Sequence, residues 1–546
     1  MTIISRTKHL QNRLFLYLNT LRYLKLSQLF YLMYYRVFGF SKKVTKRSVP
    51  IKKIDIFFPQ YKEPVFIDRN TIFLLNRKKN IFGKIDWMPK KETKLWNYNL
   101  HYFDDLTAIR SSERRILQQH FIDDWVENKD TNDYRWDPYP TSLRVINFLK
   151  WSTKEKNIPD YFNHLIYEHA EHIRNNLEFH LGGNHLLTNA KALIFCGLFL
   201  DEPNNKFLKR GIEILDKELN EQFFADGGHY ERSPMYQNIM VYDLMDIYNL
   251  FSKTNPTCPI KKRLQKTIFS TLQWSKVMTH QDGSMAYFND SCEEVAPSIN
   301  ILMNYSKHLG LEKVDKFNNE IIFLDNSNFV RANSGSFSVF IDVGVVGPNY
   351  LPGHAHDEIS SFELDLNKKR IFVNSGISTY ENNEKRFIQR SIKSHNCLNV
   401  KGNNFSEVWG GFRVARRAKR DFFSIDNNRV TISCSSKTYK SIGVENINRS
   451  FEFKGNKILI HDSIPCKNQI EVNFHLHPDM LIEKINQKEA IIKFEKIKLL
   501  FKSSKSIVIK DGTWNKSFSK VMNNKQIKIS FYGRNLVSTI EDISNG

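Results

Sequence analysis

The sequence predicts a multidomain α+β chain, a helical half followed by an antiparallel β half. Three observations carry that prediction. At 546 residues the chain exceeds one ordinary core, so two or three domains are expected. From Trp96 to about Phe317 the apolar residues recur at helical spacing. Near Asn328 the period changes to the alternation of half-buried strands.

Residues 1–94 read as an N-terminal extension and connector. Met1 to Phe40 is rich in Leu, Tyr and Phe but is punctuated by Arg6, Lys8, Arg13, Arg22, Lys25 and Arg36. No apolar run there is long enough for a signal-peptide core or a membrane span. One or two basic amphipathic helices are expected, packed on the next domain or touching an anionic membrane peripherally through residues 1–40. Ser41 to Lys94 is weakly periodic and reads as an irregular connector with short strands.

Residues 95–325 form the expected helical domain. Leu208, Ile212, Leu215 and Leu219 line one face, and Leu165, Ile166, Ile173 and Leu177 another. Repeated helices joined by short loops fit a bundle, a solenoid or a toroid. Residues 326–546 form the expected β domain. Phe337, Val339, Ile341 and Val343 alternate with smaller or polar residues, and Phe362, Leu364 and Leu366 continue the pattern. An antiparallel sandwich is the expected arrangement.

Composition narrows the function classes. Hydrophobic residues make up 41% and charged residues 25%, the balance of a folded chain. The net charge of +22 favours polyanionic partners. Nucleic acid, an anionic membrane and an acidic glycan all fit that charge, and the absence of zinc-finger spacing, an RNA-binding aromatic signature and a recognition-helix pattern weighs against nucleic acid. Six cysteines without a CxxC pair read as free thiols and favour a reducing compartment.

Three short constellations can carry chemistry. Gly182-Gly183-Asn184-His185 precedes a helical run, so Asn184 or His185 can enter a cleft, or Asn184 can cap the helix. In Tyr230-Glu231-Arg232-Ser233-Pro234-Met235-Tyr236, Pro234 suits a helix first turn, and Tyr236 can serve as general base or acid. Gly353-His354-Ala355-His356-Asp357-Glu358 enters the strand Ser361 to Leu366, and in an extended chain His354 and His356 face the same side and can point into one site. Alternating histidines followed by carboxylates suit metal or acid–base sites, and Asn374 and His395 can complete that cluster.

At these residues the chain resembles the heparinase II/III family of polysaccharide lyases. GGNHLLTNAKAL resembles the family's asparagine–histidine segment, ERSPMYQ its tyrosine segment, and GHAHDEISSFEL its paired-histidine strand. FVNSGISTY and RSIKSHNCL resemble two later sandwich motifs. Trp96 to Phe103, Arg135 to Tyr139, Arg144 and Asn147 resemble segments of members that lack a secretion signal. The resemblance implies a bacterial source and an incomplete (α/α) toroid followed by an antiparallel β-sandwich. It implies β-elimination on a uronic-acid-containing glycan, with Asn184 stabilising the charge, Tyr236 or His354 taking the C5 proton, and Tyr236 protonating O4. His185, Glu231, Arg232, Arg144, Trp136 and Tyr98 are the expected substrate contacts. The family motif makes His356 and His395 ligands of a structural zinc, and Asn374 stands where a carboxylate is usual. An amide oxygen is a weaker, neutral ligand, which weighs against the zinc. Glu358 also stands where the family more often has Asp. A uronate C5-epimerase and a non-catalytic polysaccharide-binding or assembly protein are the alternatives. A cytoplasmic or inner-membrane-peripheral location is expected.

Overall fold

A computed structural model describes residues 13–41, 47–81, 85–129, 136–311 and 320–544. Two helical segments open it, residues 13–21 and Leu26–Phe38. The connector then forms a three-stranded antiparallel sheet, Phe66–Asp68, Thr71–Leu74 and Arg77–Asn80. Phe66 fastens it to the helical half by stacking on Phe121 at 3.9 Å.

Nine α-helices follow among the described residues, from Lys94–Tyr102 to Ile299–His308. Their apolar stripes face one continuous core, as amphipathic helices require. On Lys206–Gln222 the buried positions are Phe207, Leu208, Gly211, Ile214, Leu215, Leu219 and Gln222, while Ile212 is only half-buried. Gly197 and Gly211 let this helix press against Gly183–Phe199: a Cβ at Gly197 would lie 2.4 Å from the Leu208 nitrogen. Tyr161–Asn175 buries Leu165, Ile166 and Ile173, and Leu177 lies beyond its end.

Inside the helical half, Lys150, Lys191 and Asp246 join three helices. The Asp246 Oδ2 accepts from both Lys150 Nζ and Lys191 Nζ at 2.5 Å, and Lys191 also reaches Asp243 at 2.5 Å. Burial, together with repulsion from Lys191, pulls the Lys150 ammonium down to about 8 despite the Asp246 carboxylate.

The β half has two layers. A five-stranded sheet runs from Ile321–Leu324 to Lys369–Phe372. A bridge from Phe372 to Leu476 joins it to a four-stranded sheet of Ile507–Ser517, Lys520–Phe531, Ile470–His475 and Leu398–Val400. An eight-stranded sheet forms the opposing layer. Phe362, Phe372, Phe474 and Phe501 interlock between the layers with edge-on or tilted rings.

The alternation at Phe337–Asp342 and Phe362–Leu366 predicts one wet face, yet both strands are buried throughout. The helical half covers the second face. Its His280 places Nδ1 2.7 Å from Asp365 Oδ1 and Nε2 2.8 Å from Glu363 Oε2, with all three side chains buried. Burial opposes the imidazolium, but the two carboxylates outweigh it and raise His280 to about 9. A raised folded value contributes stability that is complete below the unfolded value near 6.5 and is lost as pH rises through about 9. The thermal midpoint is therefore expected to fall between those values. His280→Gln is expected to lower the midpoint at the acid end and flatten the slope, and calorimetry across this window checks both.

Candidate active site

Two helix starts of the helical half face one loop of the β half. At the first, Gly182 and Gly183 hold φ of 62° and 56°. A Cβ on Gly183 would lie 2.4 Å from Glu231 Oε1 and 2.7 Å from a Leu351 methyl, so the segments meet at a distance only glycine permits. Gly182 occupies the cap position, and Asn184, in the first turn, makes no capping bond, which corrects the capping alternative. The Asn184 nitrogen donates to Glu231 Oε1 at 3.3 Å, and its side chain meets the Tyr139 hydroxyl.

At the second helix start, Ser233 caps Pro234–Thr254 by accepting from the Tyr236 nitrogen at 3.2 Å. That cap places the Tyr236 phenol 3.0 Å from the Tyr380 hydroxyl, with its ring 3.9 Å from that of His354. Burial, with Tyr380 and Asp290 nearby, pushes the phenol well above its ordinary value. Tyr236 therefore rests protonated.

His354 and His356 lie in a turn, and the strand begins only at Phe362. The two histidines meet through Asp290. Asp290 Oδ2 is 2.8 Å from His354 Nδ1, and Oδ1 is 2.8 Å from His356 Nε2. Arg386 grips the same carboxylate through both terminal nitrogens. Burial disfavours the Asp290 charge, but Arg386 and the two histidine hydrogen bonds outweigh it and hold the carboxyl well below its usual range. Asp290 accepts from His354 Nδ1–H, which in the neutral imidazole puts the lone pair on Nε2. That nitrogen lies 3.8 Å from Glu231 Oε2, and burial raises the Glu231 carboxyl.

Behind His356 lies a fully buried set. One ligand atom each from His356, Glu358 and His395 falls within 4.8 Å of the others. His356 Nδ1 is 3.2 Å from His395 Nε2. Glu358 Oε2 is 3.2 Å from His395 Nδ1 without a well-aligned hydrogen bond, leaving that buried oxygen unsatisfied. Two imidazoles and a carboxylate, with Asp290 hydrogen-bonded behind one imidazole, fit a zinc ion. Asn374 is placed differently from the expectation. Its Oδ1 accepts from Ser361 Oγ at 2.7 Å and lies 3.1 Å from His395 Nδ1, the nitrogen that Glu358 Oε2 approaches at 3.2 Å.

Several expected substrate contacts turn away from this cleft. Arg144 is wholly buried, with Nε 2.9 Å from His169 Nε2 and the guanidinium 4.2 Å above Trp125, so it supports the core. Trp136 packs 4.9 Å from His169 and donates to the Lys129 carbonyl at 2.9 Å. Arg232 donates to the Val345 carbonyl and tucks under Gly344 and Gly347. Tyr98 bonds the Asp137 carboxylate. His185 stays beside the cleft, 4.3 Å from the Tyr139 ring and 3.1 Å from Glu178. Sequence reasoning gave no site role to Asp290, Arg386, Tyr139 or Tyr380: Tyr139 and Tyr380 end two of the quoted segments without being singled out, and Asp290 and Arg386 stand in no periodic or spaced pattern.

A heparinase II/III N-terminus model matches residues 84–311, and a heparinase II/III-like C-terminal model matches residues 318–540. A heparin-sulfate lyase of Bacteroides thetaiotaomicron is 25% identical over 404 residues, 63% of this chain and 57% of that protein. FtsZ-localized protein C of Caulobacter vibrioides is 25% identical over 295 residues, 51% of this chain and 48% of that protein. The chain thus spans about half the length of the curated relatives it matches. A crystal structure of heparinase III superposes with a TM-score of 0.69 at 16% identity, over 85% of this chain and 81% of that one. That likeness confirms the order of helical toroid and β-sandwich.

Proposed function

The chain belongs to the heparinase II/III family, and from that premise we propose that it is a polysaccharide lyase cleaving a uronic-acid-containing glycan by β-elimination. The observation that carries the reading is that Tyr236 packs against His354, whose tautomer Asp290 fixes, while Glu231 lies between His354 Nε2 and the Asn184 nitrogen. The His354 Nε2 lone pair takes the C5 proton of the uronate. The C5 electron pair forms the C4–C5 double bond as the C4–O4 bond breaks. Tyr236, kept protonated by burial, donates its phenolic proton to the departing O4. The Asn184 amide donates to the uronate carboxylate as charge moves onto it. Glu231, raised by burial, can share a proton with the same carboxylate.

The relative named heparin-sulfate lyase directs the choice of substrate, a heparan-type glycosaminoglycan before alginate or hyaluronan. Ultraviolet absorbance of the full chain with a panel of these polymers tests the reading. Growth of an unsaturated-uronate signal on at least one is expected. A flat trace on all of them, and on polymers from the source organism, overturns it.

The His356–Glu358–His395 set is our assignment for a structural zinc. When bound, zinc would supply a tie between the loop carrying His354 and the segment carrying His395. About one zinc per chain is expected by elemental mass spectrometry. Glu358→Gln is expected to lose the metal and lower the thermal midpoint. Retention of zinc in Glu358→Gln but not in Asn374→Ala would return the third position to Asn374.

A further inference from the structure

The helix Leu26–Phe38 presents its apolar stripe outward. Gln28, Tyr31 and Tyr35 face the protein: Tyr35 donates its hydroxyl to the Leu177 carbonyl at 2.8 Å, Tyr31 packs 4.9 Å from Phe179, and Gln28 donates to the Tyr350 carbonyl at 3.3 Å. On the opposite side Leu26, Phe30, Met33 and Val37 recur at i, i+4, i+7 and i+11 and are 85%, 63%, 67% and 71% exposed. Leu14, Leu18 and Leu21 repeat the pattern on residues 13–21. Of the 27 large hydrophobic residues exposed among the described residues, 12 fall between Leu14 and Phe38. So concentrated an apolar surface marks an interaction site.

Charge selects the occupant. The first 54 residues hold twelve Lys or Arg and no Asp or Glu. Arg13, Arg22 and Arg36 are exposed beside the stripes. Leu, Phe and Met on one face, with an unbroken cationic background, match the interfacial zone of an anionic bilayer, where each cation near the surface adds attraction. No helix among the described residues is long and apolar enough to cross a membrane, which leaves an in-plane arrangement.

We propose that residues 13–38 dock the protein on an anionic lipid surface, with the Leu26–Phe30–Met33–Val37 stripe among the acyl chains. The same segment braces both halves of the molecule near the cleft. Lys25 pairs with Glu221 at 2.5 Å on the helical side, and Thr20 accepts from the Trp409 indole at 3.0 Å on the β side. Docking therefore holds the cleft near the bilayer, where a membrane-tethered or emerging anionic glycan would be reached. This surface stands independently of the lyase reading.

Flotation of the full chain with phosphatidylcholine vesicles, with and without phosphatidylglycerol, tests the proposal. Binding to the anionic vesicles is expected to exceed that to the neutral ones by about tenfold or more, and to weaken with salt. The triple variant Phe30→Glu, Met33→Glu, Val37→Glu is expected to lose at least about tenfold in binding while keeping the thermal midpoint, because these side chains are mostly in water already. A milder pair, Leu26→Ser with Met33→Ser, serves if the triple variant misfolds. Failure of the wild type to float, or equal flotation of a folded variant, overturns the proposal. So does wild-type self-association that the same variants abolish without lipid, which would make a second copy the occupant.

Discussion

Tyr236→Phe is expected to lower kcat by roughly 10^2- to 10^4-fold while leaving KM nearly unchanged. The substitution removes one oxygen and keeps the ring that packs 3.9 Å from His354. In the proposed elimination, what is lost is the proton that Tyr236 would give to O4, an interaction made only as the bond breaks. The Tyr380 hydroxyl, 3.0 Å away, loses a partner but not its position. Steady-state kinetics on the cleaved polymer, with a thermal scan to show the fold intact, checks this. A residual rate within tenfold of wild type would assign the proton to another donor, and Tyr380 would be the first to examine.

The largest effect on stability is expected from Asp246→Ala. Asp246 lies at full burial, where Lys150 and Lys191 both donate to Oδ2 and the Tyr305 hydroxyl donates to Oδ1 at 3.1 Å. Burial alone would raise its carboxyl, but the two ammonium groups outweigh this and hold it below its ordinary value. Truncation leaves Lys150 without its carboxylate and Lys191 with Asp243 alone, a loss on the order of 3–5 kcal/mol. The three helices joined by these lysines include Gly183–Phe199 and Pro234–Thr254, which carry Asn184 and Tyr236. Calorimetry should show a midpoint lower by several degrees or loss of soluble protein. An unchanged midpoint would mean that water or rearranged lysines replace the carboxylate.

The helical half was legible because its apolar spacing answers to one buried core, as the positions on Lys206–Gln222 illustrate. The change of period near Asn328 located the β half for the same reason. What period could not convey was the second buried face of Phe362–Leu366, since Glu363 and Asp365 look like solvent residues until His280 is seen between them. In the site, Asn184, Tyr236 and His354 stood beside glycine or proline turns that mark sharp changes of chain direction. Asp290 stood in an ordinary loop, 64 residues from His354, and only the tertiary contact reveals it. Arg144 packs over Trp125 and Trp136 and Arg232 meets the Val345 carbonyl, placements that sequence could not give because a guanidinium among aromatic rings has the same signature in a core as on a glycan-binding surface. Glu358 was noted for its identity, and its proximity to His356 and His395 emerges only from the turn that folds it back.

The most direct test of the elimination chemistry is nuclear magnetic resonance and mass analysis of a heparan-type polymer incubated with the protein in deuterated water. The account predicts shorter chains ending in a C4–C5 unsaturated uronate, produced by the wild type and not by Tyr236→Phe. Chains of unchanged length carrying deuterium at C5 would contradict it and identify an epimerase.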